Sequence, residues 1–298
     1  MLIGVVGLGA MGAPMARNLA ADGDRVLAYD IDPGRVGASA SGVVTAARNI
    51  AEMAARCELI VTMVWDDNAL RDVVFGKDGL LSAESFTGCV VDLSTTSMEI
   101  ALELGAALAR RGAVFLDGAV IGGGVPGARA GASPIVISGD ESMFAKYLPQ
   151  LGRLGPCDFV GGQGNAKVTK IINNLLVGVM TAANAEALSL AVAAGLKLSD
   201  VVSWLSNGAG RSNVLQSYMG RYVREGTYGE GLIGHGLMVK DVSLACSLAD
   251  RARFPALLSE LTRQVYVACG QAQGIGAAFP SVFDYFNSRS QLGATRSR

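Results

Sequence analysis

Two lysines and two adjacent asparagines interrupt an otherwise apolar stretch, AKVTKIINNLL, at residues 166–176. On a helix, Lys170 and Asn174 are neighbours one turn apart, on the side opposite an apolar stripe. A lysine can act as a general base when desolvation or a neighbouring ammonium, such as that of Lys240, lowers its pKa from about 10.4 towards neutrality. The stretch therefore indicates either a solvated helix face or a proton-transfer site.

The continuation of this stretch favours the second interpretation. Residues 177–195, VGVMTAANAEALSLAVAAG, contain one charged residue, Glu186. A helix with so little charge on any side is typical of a protein interior. We therefore predict a buried helix whose polar first turns line a cleft, with Lys167, Lys170, Asn174 and Thr181 on its polar side. The apolar stripe on the opposite side comprises Val168, Ile171, Ile172, Leu175, Leu176 and Val179.

Three glycines stand where an apolar strand gives way to a helix, in VVGLGAMG at residues 5–12. Gly7 permits the tight turn, Gly9 lets a pyrophosphate approach the backbone, and Gly12 lets the helix pack against the strand. The next apolar run, RVLAYD, ends in Asp30, where a carboxylate would accept hydrogen bonds from ribose hydroxyls. The pattern predicts a dinucleotide site; the alternative is a tight turn with an incidental aspartate.

The acid at the end of the second run also bears on the choice of dinucleotide. Asp30 would repel the 2′-phosphate of NADP, and Asp32 is a second acid close by, whereas the nearest base, Arg35, is further along. NAD is therefore favoured over NADP. Met11 and Met63 are two further residues that we predict to contact the cofactor.

The elements that must position these residues follow from the pattern of apolar runs. The first half alternates helical patterns with the runs LIGVVG, RVLAYD, ELIVTMV, CVVDLS, AVFLDG, PIVISG and CDFVGG. This alternation predicts an α/β fold with an N-terminal Rossmann-type doubly wound sheet of parallel strands. From Asn165 onward long helical patterns take over, with breaks at NGAGRSN, REGTYGEGLIGHG, RARFP and GQAQGIG, so the C-terminal domain is predicted to be all-α. The predicted domains are 1–162 and 163–298.

Composition limits the kinds of partner. The chain has 298 residues, half of them apolar, and a net charge of −1, as expected for a compact globular protein. Lysines and arginines are spread along the chain apart from a basic tail at residues 288–298. Nucleic acid and an anionic membrane surface are therefore not expected as partners, and a small molecule is.

Cysteine and histidine usage points to a reducing compartment. The five cysteines lie far apart without a CxxC pair, and His235 is the single histidine, so buried thiols are expected and a metal site is not. The N-terminus has no basic region typical of a signal peptide, so we expect a cytoplasmic protein. Residues 171–196 are long enough to span a bilayer, but their three asparagines and Glu186 would need partners inside lipid, which favours a soluble helix.

Five motifs together carry a resemblance to a known family. They are GLGAMGAPMARNL, DLSTTSME, FLDGAVIGGGVPGARAG, GGQGNAKVTKIINN and LMVKDVSLA. In this order and spacing the chain resembles the β-hydroxyacid dehydrogenases, the group that includes 3-hydroxyisobutyrate dehydrogenase. The resemblance covers nearly the whole chain and implies the same two-domain fold and a nicotinamide cofactor.

The resemblance also implies roles for individual residues. The family pattern of a glycine-rich run followed by KxxNN falls on Gly161, Gly164, Lys170, Asn173 and Asn174. By this resemblance Lys170 is the catalytic lysine and Asn174 orients the substrate. It also implies that Lys240, in VKD, borders the active site, where it would contact cofactor and substrate, and that Thr95, in DLSTT, lies beside the nicotinamide.

One loop departs from the family pattern. The family commonly has D-A-P-V-S-G-G where this chain has DGAVIGG, so Ile121 stands at the position of a serine that binds the substrate carboxylate. Isoleucine cannot donate a hydrogen bond, although the amides of Gly122 and Gly123 could still form an anion nest. We expect either a substrate with an additional apolar group, or one without that carboxylate, or an Ile121 that merely packs.

These inferences converge on an enzyme. We expect an NAD-dependent oxidoreductase that transfers a hydride between nicotinamide and a β-hydroxy acid or its semialdehyde or keto counterpart, with Lys170 as general acid and base. Imine or other carbonyl reduction, and a non-catalytic NAD-binding role, are the alternatives. His235 is expected to be structural and Asp241 to cap or brace its helix. Arg129 and Arg211 could bind an anionic group, and a homodimer or homotetramer is expected because all-α second domains of this type commonly form the dimer interface.

Overall fold

The computed structural model describes residues 1–84, 86–229 and 231–289, so most of the basic tail lies outside the described residues. The chain divides into two compact units, Met1–Lys170 and the remainder from Ile171 onward. Unit 1 contains the sheet and unit 2 is helical, which confirms the predicted fold class.

The sheet of unit 1 has eight strands in the order β3-β2-β1-β4-β5-β6-β7-β8. The strands are β1 (Leu2–Val6), β2 (Arg25–Tyr29), β3 (Val44–Ala46), β4 (Leu59–Thr62), β5 (Cys89–Asp92), β6 (Val114–Val120), β7 (Ile135–Ser138) and β8 (Cys157–Phe159). The helices of this unit are α1 (Gly12–Leu19), α2 (Pro33–Ser39), α3 (Ile50–Arg56), α4 (Asp67–Phe75), α5 (Met98–Ala109), α6 (Gly124–Ala130) and α7 (Glu141–Leu151), with a 3-10 turn at Leu80–Ser82.

Neighbouring strands are parallel throughout the part of the sheet from β3 to β6. The strand order reverses at β1, between β2 and β4, which is the point where doubly wound sheets bind ligands beyond the carboxyl ends of their strands. β7 runs antiparallel to β6, with Asp117 opposite Ser138, and β8 is parallel to β7. The antiparallel edge and the three-residue β3 are not predicted by the sequence patterns.

The sheet is buried on both faces, which is why its strands read as continuous apolar runs. On one face Val5 and Val91 pack in a cluster with Leu19 of α1. On the other face Ile60 belongs to a cluster with Leu104 of α5. The helices therefore cover both faces and leave the carboxyl ends of the strands as the place where loops emerge.

Unit 2 is built from helices in its described residues. They are α8 (Asn165–Ala193), which begins in unit 1, α9 (Leu198–Asn207), α10 (Gly220–Glu225), α11 (His235–Ala252), α12 (Leu257–Gln273) and α13 (Val282–Asn287). A π-helical turn at Leu215–Met219 and a 3-10 turn at Phe279–Ser281 complete the unit. Each of the four predicted helix breaks contains a helix end.

The longest helix, α8, is not buried on all sides as its composition predicts. Ile172 and Leu176 of the predicted apolar stripe are 44% and 53% exposed, and Leu190 is 66% exposed. On the polar side, Lys167 is completely buried and Thr181 is buried as well. The prediction of a helix through the interior is therefore wrong, because its low charge reflects an exposed apolar face.

The same helix is long and apolar enough to cross a membrane by length and composition alone. About a third of its most apolar window, 33%, is buried in the protein. The core helix of a soluble protein meets the same criteria, so the finding is weak evidence for a membrane span.

Candidate active site

The turn between β1 and α1 needs glycine at two positions for reasons internal to the protein. Gly7 has a φ of +91°, and a Cβ there would lie 2.2 Å from the main-chain oxygen of Met63. A Cβ on Gly12 would lie 1.9 Å from the main-chain oxygen of Gly7. Both distances are far below van der Waals contact, so the turn can close against the helix only with glycine at these positions.

Gly9, the middle glycine, differs because the described part of the protein has room for a side chain at this position. A Cβ there would meet only Arg35 Nη1, at 3.9 Å, which is an ordinary contact. The main-chain N–H groups of Ala10 and Met11 donate to no acceptor among the described residues. An open backbone beside unused donors at a helix start suits a pyrophosphate, and a side chain on Gly9 would occupy that space.

Asp30 follows β2 and is fixed against the same turn. Its Oδ2 accepts a hydrogen bond from the Leu8 amide at 2.6 Å, and its Oδ1 accepts one from the Asp32 amide at 2.9 Å. The side chain is buried. Each carboxylate oxygen can accept a second hydrogen bond, so Asp30 has the capacity to receive ribose hydroxyls.

Arg35 of α2 lies closer to this turn than its position in the sequence suggests. Its Nη1 is 3.8 Å from Asp30 Oδ2, and its Nε is 3.5 Å from Asp32 Oδ2. A guanidinium beside the two carboxylates offsets part of the repulsion that they would exert on a 2′-phosphate. The sequence argument misses this proximity because it considers only distance along the chain.

The predicted site residues of unit 1 lie beyond the carboxyl ends of parallel strands. Gly7 follows β1, Asp30 follows β2, Met63 follows β4 and Thr95 follows β5. Val120 ends β6, which continues the parallel order. The carboxyl ends of parallel strands share one edge of a sheet, so the structure brings these positions together at that edge.

Lys170, in the second turn of α8, reaches this edge. Its Nζ donates a hydrogen bond to the main-chain oxygen of Val120 at 2.6 Å. The residue is half-buried. A lysine amine held at the carboxyl end of a parallel strand, at the same edge of the sheet as the β1–α1 turn, is positioned for proton exchange with a small molecule.

Lys167 is a functional candidate that the sequence argument misses. It is completely buried, and its Nζ lies 2.6 Å from Asp92 Oδ2 at the end of β5. Asp92 Oδ1 also accepts from the hydroxyls of Thr62 and Ser94, both at 2.6 Å. A lysine in an amphipathic pattern normally indicates solvent, and only a partner distant in sequence reveals that this one is buried.

The loop after β6 begins with Ile121. Its amide donates to the main-chain oxygen of Pro134 at 2.9 Å and is therefore not available to a ligand. Its side chain packs against a small cluster formed by Ala119, Val136 and Ala166, and it remains partly exposed. Ile121 thus packs, as one of the predicted alternatives states, and still presents apolar surface on the loop.

The glycines that follow have conformations suited to anion binding. Gly123 and Gly124 have φ values of +80° and +52°. The main-chain N–H groups of Gly122 and Gly123 donate to no acceptor within the described part of the chain. Successive N–H groups in such a turn can point towards one anion, which is the arrangement called a nest.

In unit 2, Asn174 is held by a carboxylate of α11. Its Nδ2 donates to Asp241 Oδ2 at 2.6 Å, and its Oδ1 accepts from Asn173 Nδ2 at 3.1 Å. Asp241 is buried, so it braces α8 against α11 instead of capping its own helix. Because both of its amide atoms are restrained, Asn174 has a fixed orientation one helical turn after Lys170.

Lys240 lies next to the same carboxylate. Its Nζ is 3.1 Å from Asp241 Oδ1, and the pair is i,i+1 on α11. The carboxylate balances the ammonium locally, which weakens the field that Lys240 exerts on other groups. Lys240 is therefore a weaker source of neighbouring positive charge than the sequence argument assumes.

The remaining predicted candidates have other surroundings. His235 is completely buried, and its Nε2 lies 2.9 Å from Gln273 Oε1, so it belongs to the interior of unit 2. Arg129 and Arg211 are both exposed. Ser212, which follows Arg211 and is not one of these candidates, accepts from the Leu215 amide through its Oγ at 3.0 Å and so caps the following helical turn.

Two protein-family models match the chain in succession. Residues 2–162 match the NAD-binding domain of 6-phosphogluconate dehydrogenase. Residues 164–285 match a model described as NAD-binding of NADP-dependent 3-hydroxyisobutyrate dehydrogenase. Together the two models account for most of the chain and indicate a binding domain for NAD or NADP.

Curated relatives agree with these models. The chain is 33% identical over 275 residues to 2-(hydroxymethyl)glutarate dehydrogenase of Eubacterium barkeri, covering 92% of this chain and 90% of that protein. It is 34% identical over 281 residues to 3-hydroxyisobutyrate dehydrogenase of Pseudomonas aeruginosa, covering 91% of this chain and 92% of the relative. Both relatives are dehydrogenases of hydroxy acids by name.

Solved structures give the same result. A Mycobacterium tuberculosis 3-hydroxyisobutyrate dehydrogenase with L-serine matches with a TM-score of 0.85 and 26% identity, covering 95% of this chain and 98% of that chain. Imine reductases also share the fold, but at 20% identity or less that likeness concerns the fold alone. The homologous dehydrogenases therefore carry the functional argument.

Proposed function

The chain belongs to the β-hydroxyacid dehydrogenase family, and from its site we propose that it is a nicotinamide-dependent dehydrogenase of a β-hydroxy acid. The observation that carries this proposal is the amine of Lys170, held by the Val120 carbonyl at the edge of the sheet where the nucleotide turn lies. Proximity of a proton acceptor to a hydride acceptor is what oxidation of an alcohol requires.

The nucleotide is bound by residues of unit 1 in this proposal. The turn containing Gly7, Gly9 and Gly12 would receive the pyrophosphate, and Asp30 the ribose hydroxyls. Met11, Met63 and Thr95 would contact the rest of the cofactor. When bound, the nicotinamide ring accepts a hydride from an alcohol or returns it to a carbonyl. Support comes from the open backbone at Gly9 and the remaining acceptor capacity of Asp30.

Lys170 moves the proton in this mechanism. As a neutral amine it can donate one N–H to the Val120 carbonyl while its lone pair takes the hydroxyl proton of the substrate. In the reductive direction the resulting ammonium keeps the same contact and gives a proton to the forming alkoxide. The Val120 carbonyl can accept a hydrogen bond from either the neutral amine or the ammonium of Lys170. It therefore orients the side chain in both protonation states.

We propose that Asn174, one turn after Lys170 on α8, orients the substrate. The contacts of Asn174 with Asp241 and Asn173 support an orienting role, because a restrained amide presents its remaining donor and acceptor in one direction. Lys240, with its ammonium beside Asp241, would contribute an N–H donor to an anionic substrate or to the cofactor.

The loop after β6 is the proposed source of substrate selectivity. The amides of Gly122 and Gly123 would bind the substrate carboxylate, and the partly exposed Ile121 would contact an apolar group beside it. We therefore propose a substrate bulkier on this side than 3-hydroxyisobutyrate. Arg129 and Arg211 receive no role, since both are exposed.

The alternatives are less well supported. The fold that imine reductases share is also the fold of hydroxy-acid dehydrogenases, whereas the two curated relatives of 33% and 34% identity carry dehydrogenase names. A non-catalytic NAD-binding protein would have no use for a lysine amine directed at the end of β6. The domain boundary that we propose, between residues 162 and 163, places this lysine at the start of the substrate domain's first helix.

A spectrophotometric screen at 340 nm tests the function. Hydroxy acids of increasing branching, including 3-hydroxyisobutyrate and 2-(hydroxymethyl)glutarate, are offered with NAD or NADP, and imines are offered with the reduced cofactors. We expect turnover of at least one hydroxy acid and none of the imines. The screen is repeated with Ile121→Ser, which should shift preference towards smaller hydroxy acids; reduction of imines alone would refute the proposal.

We propose NAD as the preferred cofactor, because two carboxylates face one guanidinium at the adenosine end of the site. Asp30→Ala should weaken NADH binding by roughly tenfold through loss of the ribose acceptor, and should weaken NADPH binding less, since a negative charge is removed. Fluorescence titration with both nucleotides measures the change. Equal losses for NADH and NADPH would contradict the role given to Asp30.

We also propose that the protein is a soluble cytoplasmic enzyme that forms homodimers or homotetramers. The exposed apolar face of α8, with Ile172, Leu176 and Leu190, supports self-association, because monomers rarely leave such a stripe in water. A second exposed apolar group lies at the start of α12, in Leu257, Leu258 and Leu261.

A further inference from the structure

The buried ammonium of Lys167 contacts main-chain oxygens of two different strand ends. In addition to Asp92 Oδ2 at 2.6 Å, its Nζ donates to the main-chain oxygens of Asp92 at 3.1 Å and Ser94 at 2.9 Å. The main-chain oxygen of Gly118 lies 2.8 Å from the same Nζ, whose three N–H groups are therefore shared among four acceptors. One side chain of α8 thus joins the end of β5 to the end of β6.

The joined segments carry the groups to which the proposed function assigns roles. Ser94 is followed directly by Thr95, the residue expected beside the nicotinamide. Gly118 is two residues before Val120, whose carbonyl holds the amine of Lys170. Lys167 itself lies one helical turn before Lys170. A displacement of the Lys167 ammonium would therefore move the two loops and the first turns of α8 relative to one another.

The start of α8 is fixed to β6 and β7 by a second buried contact set. The Gly164 amide donates to Asp117 Oδ1 at 2.8 Å, and the Ala166 amide donates to Ser138 Oγ at 2.9 Å. The Ser138 hydroxyl in turn donates to Asp117 Oδ2 at 2.7 Å. These bonds hold the helix end but do not reach Ser94, so the connection to β5 depends on Lys167.

Stability alone does not account for a completely buried ion pair. Replacing such a pair with apolar groups of similar volume is often neutral or stabilising, because both charges lose their hydration. A fixed ammonium with several acceptors instead restricts geometry, since each bond must keep its direction. The ion pair of Lys167 and Asp92 is therefore better explained by its fixing of local geometry than by a contribution to the free energy of unfolding.

We propose that Lys167 is a positioning residue that sets the distance from the nicotinamide loop at Thr95 to the amine of Lys170. It does so by binding the carbonyls of Ser94 and Gly118 while Asp92 balances its charge. This proposal rests on the proposed function, because it assumes that Thr95 and Lys170 take part in one reaction.

The test uses a charge-neutral double variant of the full-length protein. Lys167→Met alone leaves Asp92 as an unpaired buried carboxylate and can prevent folding. Lys167→Met with Asp92→Asn removes both charges, and it is expected to fold. We expect kcat for the best hydroxy acid of the screen to fall roughly 10- to 100-fold, with the dissociation constant for NADH within about threefold of wild type.

A matched control is the ion pair of Arg153 and Asp24. These residues also lie in unit 1, with Arg153 Nη1 2.8 Å from Asp24 Oδ2. Asp24 precedes β2, at the amino end of the parallel strands, whereas Asp92 ends β5 at the opposite edge. Arg153→Met with Asp24→Asn should keep wild-type kcat at a temperature where it is folded. An unchanged kcat in the Lys167 and Asp92 double variant would overturn the positioning role.

Hydrogen–deuterium exchange separates this proposal from the proposed function. In the double variant, amides of residues 93–97 and 118–124 should exchange at least several-fold faster than in wild type, and faster than in the control. If wild type turns over no hydroxy acid, the proposed function fails, and this exchange result still decides whether Lys167 fixes the loops. Unchanged exchange in both segments would refute the positioning role whatever the activity.

Discussion

Lysines 167 and 170 lie one turn apart on the same helix, yet their ammonium groups have different surroundings. Lys167 is enclosed with Asp92, and Lys170 is half-buried with the Val120 carbonyl as its hydrogen-bond acceptor. The completely buried amine of Lys167 has no access to a bound molecule, whereas the half-buried amine of Lys170 can exchange a proton with one. Only Lys170 is therefore suited to acid and base work.

Replacement of Lys170 tests this difference directly. Lys170→Ala is expected to lower kcat/KM by roughly 100- to 10,000-fold, because the hydroxyl proton loses its acceptor. NADH affinity should change by less than about threefold, which a fluorescence titration measures. Lys77→Ala, a change at an exposed lysine of the same unit, serves as the control. A Lys170→Ala protein that turns over like wild type would remove this residue from the mechanism.

At the residue scale, sequence patterns predict which residues share a helix face better than they predict how buried each residue is. The spacing of Lys170 and Asn174 follows from helix periodicity, and the structure retains it in α8. The burial of Lys167 depends on its contact with Asp92, which is distant in sequence. The approach of Arg35 to Asp30 depends on the direction in which α2 leaves the end of β2. A periodicity argument contains no information about such contacts.

Among the elements, the turn between β1 and α1 has two kinds of glycine. Gly7 is required by its φ of +91° and by its approach to Met63, whereas Gly9 has room for a Cβ. Glycine at position 7 is therefore needed for folding, whereas glycine at position 9 leaves space for a ligand.

Substitutions at these two glycines should therefore have separate effects. Gly7→Ala is expected to lower the free energy of unfolding by about 2–4 kcal/mol, through backbone strain and the clash with Met63. Gly9→Ala should change it by less than about 1 kcal/mol while weakening NADH binding at least roughly tenfold. Denaturant unfolding and nucleotide titration measure the two quantities. Loss of stability in Gly9→Ala with unchanged NADH binding would contradict this division.

Helix α11 begins with a buried histidine that makes unit 2 sensitive to acid. Gln273 Nε2 donates to the Ser281 carbonyl at 3.0 Å, so Gln273 Oε1 faces His235 Nε2 and accepts a hydrogen bond from its N–H. His235 Nδ1 is buried and has no hydrogen-bond partner among the residues that the structure describes. Burial lowers the pKa of His235 below its ordinary value of 6.5, and the hydrogen bond with Gln273 opposes this shift.

The sign of the pH effect follows from this lowered pKa. Well above pH 6.5 the imidazole is neutral in both the folded and unfolded states, and the free energy of unfolding has no contribution from its titration. As the pH falls below 6.5, the unfolded state binds a proton before the folded state does, so stability decreases. Thermal unfolding between pH 5 and 8 should show this loss for wild type and a weaker one for His235→Gln. An identical pH slope in both proteins would exclude His235 as its cause.

The order of elements was predictable because strand and helix have different apolar periods and glycine marks the breaks. The seven predicted strand runs all contain strands, and the predicted helix breaks contain helix ends. The short β3 was not predictable, since three residues carry too little pattern. The reversed direction of β7 depends on its pairing with β6, which no local run specifies.

For the molecule as a whole, the exposed apolar side of α8 has the largest consequence. Low charge along a helix is compatible with burial inside one chain or with burial between copies, and composition does not distinguish these cases. The exposure of Ile172 and Leu176 favours the second case for this chain.

Introducing charge on this face tests the proposed self-association. Ile172→Glu with Leu176→Glu should shift the protein to a smaller species in size-exclusion chromatography with light scattering, because carboxylates would have to be buried in the interface. Leu102→Glu, at a leucine of unit 1 with 42% exposure, should leave the mass unchanged. A wild-type protein that is already monomeric, or a variant of unchanged mass, would show that this face does not mediate assembly.

The proximity of Arg35 to Asp30 has a practical consequence for coenzyme engineering. Phosphate recognition elsewhere in nucleotide enzymes relies on an arginine near the adenosine ribose, and here such a residue already lies within 3.8 Å of the selective acid. Under the proposal that Asp30 favours NAD, conversion to NADP would demand removal of an acid more than construction of a new loop. A single neutral replacement of Asp30 is expected to make the affinities for NAD and NADP similar. This turn is therefore a suitable starting point for redesign.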